Sequence, residues 1–263
     1  MLKNFYIFVI ILFYCLSRDA YAVTNNYVID KATGTRIGWM VEKDIFPDEW
    51  TDESVNASAI SLDKKEIKRS VQIVKQALSK YPVSLLKQNL KRVYILYDIT
   101  FYGVSFGGTN SLDTIYLTNR GTFKGYTDLY IEQLFHEEFS SILLRNYPDK
   151  FDGNIWGKFN AQNFKYNDST AGVAALKNKK DAEDFDDFYI KNGLLNQYAQ
   201  SSQENDFNSF AKNIFKSKTN FWNIVDENKR IRIKTTIIIN FYHSLDKMFT
   251  EEYFRNPGTH PIF

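Results

Sequence analysis

The sequence contains a single cysteine among its 263 residues, Cys15. One cysteine excludes an internal disulfide framework, and Cys15 lies in a segment that we expect to be removed from the mature protein. The mature chain must therefore rely on its hydrophobic core for stability, even in an oxidising compartment.

Neither sign of charge predominates in this sequence. It has 33 basic and 31 acidic side chains, which give a formal net charge of +2. This balance gives no indication of a nucleic-acid partner or of an anionic membrane surface. No internal repeat or low-complexity tract is visible either, so the composition is that of a globular domain.

Long apolar runs are scarce, and the clearest one lies near the N-terminus. Lys3 precedes the apolar run Phe5–Leu16, which is followed by Ala20–Ala22. This order of charged, apolar and small residues is typical of a cleavable signal peptide. The run is shorter than the ~20 residues that span a bilayer. We predict cleavage after Ala22, no stable membrane span, export to the periplasm or extracellular space, and a single domain over residues 23–263.

Hydrophobic periodicity predicts both helices and strands. Apolar residues at helical spacing predict a helix between Asp63 and Pro82. The segments Arg92–Tyr102 and Thr114–Thr118 are rich in β-branched and aromatic residues and predict two strands that form a hairpin or lie next to each other. Further helices are predicted over Ser202–Phe215 and along an apolar stripe from Ile231 to Phe249. The sequence therefore predicts an α+β fold with a small mixed sheet and a mainly helical C-terminal half.

The helix predicted between Thr127 and Pro148 carries a His-Glu pair. Many zinc peptidases use the pattern H-E-x-x-H, in which two histidines bind the metal and the glutamate polarises a bound water. In this chain His136–Ser140 reads H-E-E-F-S, so Ser140 stands at the second histidine position. A serine hydroxyl is a poor zinc ligand because it is not deprotonated at neutral pH.

A later segment carries a family resemblance. Tyr198-Ala199 precedes a capped helix that contains Glu204 and Phe207 in the order Glu-x-x-Phe. This element resembles gluzincin-type peptidases, in particular a group of exported bacterial zinc-binding metallopeptidases, and the likeness extends from Asp63 onward. The resemblance implies a zincin-like fold, with a strand-containing part to about residue 148 and a helical part after it.

The resemblance also implies roles for individual residues. His136 and Glu204 are expected as zinc ligands, with Glu137 as the general base that activates the metal-bound water. Tyr198 is a candidate donor to the transition-state oxyanion. Asn208, one turn after Glu204, occupies the position of an acid that orients a histidine ligand. The function implied is peptide-bond hydrolysis with zinc as the cofactor and a peptide or protein as the partner.

Other interpretations of the same residues stay open. His243 and His260 are the remaining imidazoles that can replace the missing ligand. His136 can belong to an ordinary polar helix face, Glu204 can be a first-turn acid, and Tyr198 can be a buried aromatic residue. Three functions therefore compete: a zinc peptidase, a catalytically inactive peptidase-fold protein that binds or scaffolds in the envelope, and an unrelated secreted adhesive or structural protein.

Overall fold

The computed structural model describes residues 26–162, 164–166 and 184–256. The predicted signal peptide, residues 1–22, and His260 lie outside these ranges. Every helix within them is too short or too polar to cross a bilayer.

The described strands form one mixed sheet. Its order is β1-β2-β4-β7-β6, and β3 and β5 pair with the second half of β4. Strand β4 runs parallel to β2 and β7, whereas the other pairs are antiparallel. The bounds are β1 Tyr27–Ile29, β2 Arg36–Gly38, β3 Ser58–Ser61, β4 Arg92–Phe101, β5 Val104–Ser105, β6 Gly108–Asn110 and β7 Thr114–Thr118. The predicted small mixed sheet is thereby confirmed.

Helices surround this sheet and dominate the second half of the described chain. Their bounds are α1 Asp48–Thr51, α2 Ile67–Leu78, α3 Val83–Asn89, α4 Asp128–Asn146, α5 Gly153–Gly157, α6 Asp187–Lys191, α7 Gln203–Phe215, α8 Phe221–Glu227, α9 Lys229–Leu245 and α10 Glu251–Arg255. The predicted α+β class and the mainly helical C-terminal half are confirmed. The helix along the Ile231 stripe ends at Leu245, so the prediction that it reaches Phe249 is wrong: Asp246 adopts an extended conformation.

Side-chain capping explains where α4, α7 and the short 3-10 turn before α2 begin. The Thr127 side chain accepts a hydrogen bond from the Tyr130 amide, and the Ser202 side chain accepts one from the Asn205 amide. The Asp63 carboxylate accepts from the Lys65 amide at the short 3-10 turn before α2. These side chains satisfy backbone donors that a first helical turn leaves without partners.

The core lies on both faces of the sheet, with the larger part under α2, α4 and α7. Successive side chains of a strand point to opposite faces of the sheet, so alternate residues of β4 belong to the two parts of the core. Val93 and Ile95 belong to the larger core, whereas Tyr94 and Leu96 belong to the smaller one. The predicted apolar face of α4 is fully buried and comprises Ile131, Phe135, Phe139 and Ile142. Helix α4 is thus held between the sheet and α7.

A buried ion pair joins α7 to α9. The Lys234 ammonium lies 2.5 Å from the Asp206 carboxylate, and both side chains are fully buried. The Trp156 indole and the Tyr166 hydroxyl donate to the same carboxylate at 2.8 and 2.5 Å. The ammonium also lies 4.7 Å from the centre of the Trp156 ring. Lys234 is therefore the cation that compensates a carboxylate in the interior.

We expect Lys234→Met to lower the free energy of unfolding by about 3–5 kcal/mol, because it leaves the Asp206 charge buried without its cation. Urea denaturation followed by circular dichroism measures this loss. Lys229→Met, at an exposed position on the same helix, is the matched control and should change the value by less than about 0.5 kcal/mol. Equal effects of the two substitutions would contradict this account of the pair.

Candidate functional site

Helices α4 and α7 pack against each other through polar side chains. The Gln133 amide donates to Asn213 at 3.3 Å, and Ser140 donates to Asn208. Because residue numbers rise along one helix as they fall along the other, the two helices run antiparallel. All four side chains are buried. The residues predicted to carry the chemistry lie in or beside this interface.

The His136 ring is fully buried in an aromatic environment. Its Nδ1 lies 2.8 Å from the Tyr81 hydroxyl, and the ring stacks on Phe215 with centroids 4.8 Å apart. Burial lowers the pKa of His136 to about 4, so the imidazole is neutral at pH 7. The arrangement fits a ring that accepts from Tyr81 at Nδ1 and carries its proton on Nε2.

Two lysines pair with Glu132, the carboxylate that lies near the other ring nitrogen of His136. Its Nε2 is 3.8 Å from Glu132, and that carboxylate pairs with Lys80 at 2.6 Å and Lys216 at 2.8 Å. Burial opposes ionisation of Glu132, yet the interactions with His136 and Lys80 lower its pKa below the ordinary value. A metal ion at Nε2 would have Glu132 as its nearest carboxylate, and that carboxylate already binds the ammonium groups of Lys80 and Lys216. Repulsion between these positive charges and the metal ion disfavours a cation site.

Glu137 is bound by a lysine that sequence reasoning missed. The Lys212 ammonium donates to the Glu137 carboxylate at 2.8 Å, and the two side chains are 1% and 6% exposed. The same ammonium lies 6.0 Å from the centre of the Tyr198 ring. The two predicted catalytic residues, Glu137 and Tyr198, are therefore brought together at Lys212.

A signal for Lys212 was present in the sequence. Glu204, Asn208 and Lys212 are spaced by four residues and so share one face of α7. Glu204 and Asn208 drew attention through the family resemblance. One further turn after Asn208 leads to Lys212, so the same spacing places a lysine next to the predicted site.

Ser140 joins the two helices. Its hydroxyl contacts the Asn208 side-chain oxygen and lies 2.8 Å from the Glu137 carbonyl. The Asn208 amide donates in turn to Ser141 at 2.8 Å. The predicted role of Asn208, to orient a histidine ligand, is therefore wrong: its oxygen and its amide are used by two serines. The residue at the second histidine position serves the packing of α4 on α7.

Glu138 lies at the next position of the motif and turns toward the sheet. The Asn110 side chain donates to its carboxyl at 2.7 Å. Its pKa is raised to about 8, mainly by burial and then by the charge of Glu137, and Glu204 acts in the same direction. Strand β6 therefore rests on a carboxyl group that is largely protonated at neutral pH.

Glu204 is exposed in the first turn of α7, where an acid is favoured by the helix dipole. His136 contacts Phe215 at the other end of that helix. Asn208 on α7 lies opposite Ser140 on α4, and Glu204 lies one turn before Asn208 on α7. Because the helices are antiparallel, Glu204 lies on the far side of Ser140 from His136. The two residues are therefore about two turns, or about 12 Å, apart along the helix axes. The structure therefore does not bring the predicted zinc ligands His136 and Glu204 together.

The described residues do not fit a zinc centre. Across residues 26–162, 164–166 and 184–256, no group of three or more His, Cys, Asp or Glu side chains could hold a metal ion. The Nδ1 atom of His243, a candidate replacement ligand, lies 3.2 Å from the Phe249 carbonyl oxygen. His260, the other candidate, lies outside the described residues. These contacts do not support a zinc ion shared by His136 and Glu204: the His136 ring contacts Tyr81 through Nδ1, and Glu204 is exposed in the first turn of α7.

Comparisons with known proteins give one structural similarity. No protein-family model matches the chain, and no curated protein matches it. A solved structure described as a putative zinc-binding metallo-peptidase from Bacteroides caccae shares 15% sequence identity, with a TM-score of 0.48. The match covers 78% of this chain and 84% of that one. The roles of individual residues have to come from the contacts of this chain.

We expect His136 to make the protein less stable as the pH falls from 6.5 toward 4. Its folded pKa of about 4 lies below the ordinary 6.5, so the unfolded chain takes up the proton more readily. Stability that is present above pH 6.5 is then lost progressively down to about pH 4, by roughly 2–3 kcal/mol. His136→Phe keeps an aromatic ring on Phe215 but cannot titrate. Urea unfolding at several pH values should show a smaller loss for this variant.

Tyr81→Phe is the control for this experiment, because it removes the hydroxyl that contacts His136 and keeps the imidazole. It should be less stable than the natural chain at every pH but retain the loss between pH 6.5 and 4. Glu138, whose pKa is raised to about 8, contributes stability at low pH that is lost as the pH rises through about 8. The natural chain, His136→Phe and Tyr81→Phe all keep Glu138, so this opposite contribution is present in each of them. An unchanged pH dependence in His136→Phe would contradict the burial of a neutral ring.

Proposed function

We propose that this protein is an exported, catalytically inactive protein of peptidase-like fold that binds an extended polypeptide segment along strand β6. One observation carries the proposal: β6 ends the described sheet and directs backbone hydrogen-bonding groups away from it. An extended peptide can add to such an edge as a further strand, with main-chain hydrogen bonds supplying affinity.

The register of β6 determines which backbone groups face outward. The Thr118 amide donates to the Gly107 carbonyl at 2.7 Å, so the alternate residues Gly107 and Thr109 bond to β7. Gly108 and Asn110 then direct their N–H and C=O groups to the other side. Among the described strands none pairs there. Two residues of β6 thus offer donors and acceptors in the spacing of an extended chain.

Strand β6 is held in place before any ligand arrives. The Asn110 side chain donates a hydrogen bond to Glu138 and accepts one from Arg145, and both partners lie on α4. These two bonds fix Asn110 to the helix. Gly108 packs so closely on α4 that a Cβ atom there would lie 2.9 Å from the Glu138 carboxyl. A rigid edge loses little conformational entropy when a peptide binds, which favours affinity.

The contacts of the predicted site residues favour binding over hydrolysis. Hydrolysis by a metal-activated water needs converging ligands and a base. Glu137 is paired with Lys212, His136 contacts Tyr81, and Glu204 lies about two turns from His136. These contacts support a protein that keeps a peptidase-like arrangement of helices and sheet without its chemistry.

The proposed location follows from the N-terminal sequence. The apolar run Phe5–Leu16 after Lys3 supports export. The ligand is then a peptide or an unfolded protein segment in the periplasm or the extracellular space.

We expect a carboxymethylated casein, which is permanently unfolded, to bind and to slow amide hydrogen exchange in the segment around β6. Asn110→Pro removes an outward amide and should weaken binding by about tenfold, since one hydrogen bond contributes ~1 kcal/mol or more. Asn110→Ala loses the side-chain contacts that hold β6 but keeps the outward amide, so it should weaken binding less than Asn110→Pro does. Fluorescence anisotropy of labelled casein measures the affinities, and mass spectrometry follows the exchange.

Ile29→Pro is the matched control at the opposite edge of the sheet. Val28 pairs with Ile37 on β2, so Ile29 directs its amide outward. This variant should leave casein binding unchanged. Equal weakening by Ile29→Pro and Asn110→Pro, or binding without protection around β6, would contradict the proposed surface. Casein fragments released by the natural chain but not by Glu137→Gln would contradict the absence of catalysis.

A further inference from the structure

A lysine, an asparagine and an aspartate meet in the interior of the helical half of the chain. The Lys234 ammonium contacts the Asn160 side-chain oxygen and lies 2.5 Å from a carboxylate oxygen of Asp206. Lys234 and Asp206 are fully buried, and Asn160 is 6% exposed. The three groups are an amine nucleophile, a carboxamide whose carbon it can attack, and a carboxyl group that can transfer protons.

Aromatic rings surround these three groups. The Lys234 nitrogen lies 4.7 Å from the centre of the Trp156 ring and 5.8 Å from the centre of the Phe210 ring. Both rings are fully buried. A buried, apolar site excludes the water that would otherwise compete with the amine for the carboxamide. The site also holds the reacting groups in contact, which raises their effective concentration.

The attacking group has to be the neutral amine, and the surroundings favour it. Burial lowers the pKa of Lys234 and raises the pKa of Asp206. One oxygen of Asp206 accepts hydrogen bonds from Lys234, Trp156 and Tyr166. Its other oxygen is buried and has no hydrogen-bond partner among the described residues, which is costly for an ionised carboxylate. The ion pair therefore lies close in free energy to a neutral pair, from which it differs by one proton moved from Lys234 to Asp206.

We propose that Lys234 and Asn160 form an intramolecular isopeptide bond after the chain folds, with Asp206 as the residue that transfers the protons. Lys234 first gives a proton to Asp206, and its neutral Nζ then attacks Cγ of Asn160, so that the Nζ–Cγ bond forms. Asp206 passes a proton to the Asn160 amide nitrogen and takes one from Nζ. The Cγ–Nδ2 bond breaks, ammonia leaves, and Asp206 remains protonated. The reaction consumes no other reagent.

The bond links the segment after α5 to helix α9 across 74 residues of sequence. A cross-link that closes a loop of this length lowers the conformational entropy of the unfolded chain. The sequence has a single cysteine and so forms no internal disulfide that would do the same. The bond also replaces two buried charges with an amide and a neutral acid. This inference does not rest on peptide binding at β6, because none of the three residues belongs to the sheet.

The experiment measures the intact mass of the purified natural chain, with its N-terminus determined. We expect the folded protein to be lighter than its sequence requires by the mass of one ammonia molecule. Trypsin does not cleave after an acylated lysine, so digestion should yield one branched peptide in which residues 159–165 are joined to residues 233–247. Tandem mass spectrometry of this peptide places the bond between Asn160 and Lys234.

Two variants remove reacting groups, and a third is the matched control. Asn160→Ala removes the carboxamide and keeps the pair of Lys234 with Asp206, so it should have its full mass and unfold at lower urea than the natural chain. Asp206→Asn removes the group that transfers protons at nearly constant volume, and it should also have its full mass. Glu137→Gln changes the carboxylate of a second buried ion pair and should still lack the mass of one ammonia molecule.

Several results would overturn the inference. A full mass for the folded natural chain would show that Lys234 and Asp206 form an ordinary ion pair. Loss of ammonia from Asn160→Ala as well, or a succinimide mapped to Asn192-Gly193, would place the reaction elsewhere. Loss of ammonia from Asp206→Asn would contradict the role of the carboxyl group. The natural chain and Asn160→Ala decide whether the bond exists, even if Asp206→Asn does not fold.

Discussion

The antiparallel packing of α4 on α7 is the constraint on which the rest of this structure depends. Buried polar side chains meet across it, and Glu137 with Lys212 forms its ion pair. A buried polar group is costly unless its partner is present, so such pairs fix how two helices align. Shifting α7 by one residue would separate Lys212 from Glu137 and Asn208 from Ser140.

The alignment explains why the His-Glu motif does not form a metal centre. Successive helix residues point in different directions, so His136 enters an aromatic cluster at Phe215 while Glu137 meets Lys212. A motif predicts chemistry only when the opposite element supplies the remaining ligands. Here α7 supplies the ammonium group of Lys212 and the amide group of Asn208. The same residues therefore stabilise the packing of the helices.

Features set by local sequence were predictable, and features set by distant partners were not. Thr127 and Ser202 cap α4 and α7, and Asp63 caps the 3-10 turn before α2; each of these bonds spans only a few residues. The two predicted strands are adjacent, as β4 and β7. The burial of Lys212 depends on Glu137, 75 residues away in sequence. The four-residue spacing from Asn208 indicates the helix face on which Lys212 lies, but it does not identify this partner. The resemblance to zinc peptidases predicted which elements matter more accurately than what their side chains do.

The state of the His136 ring tests the central claim most directly, namely that the motif is structural. The chain has three histidines, so long-range ¹H–¹⁵N spectra of the imidazole rings can be assigned by comparison with a His136 variant. We expect a neutral His136 ring at pH 6, protonated on Nε2, with nitrogen shifts that equimolar ZnCl₂ leaves unchanged. A zinc-dependent shift of the His136 Nε2 resonance would contradict it.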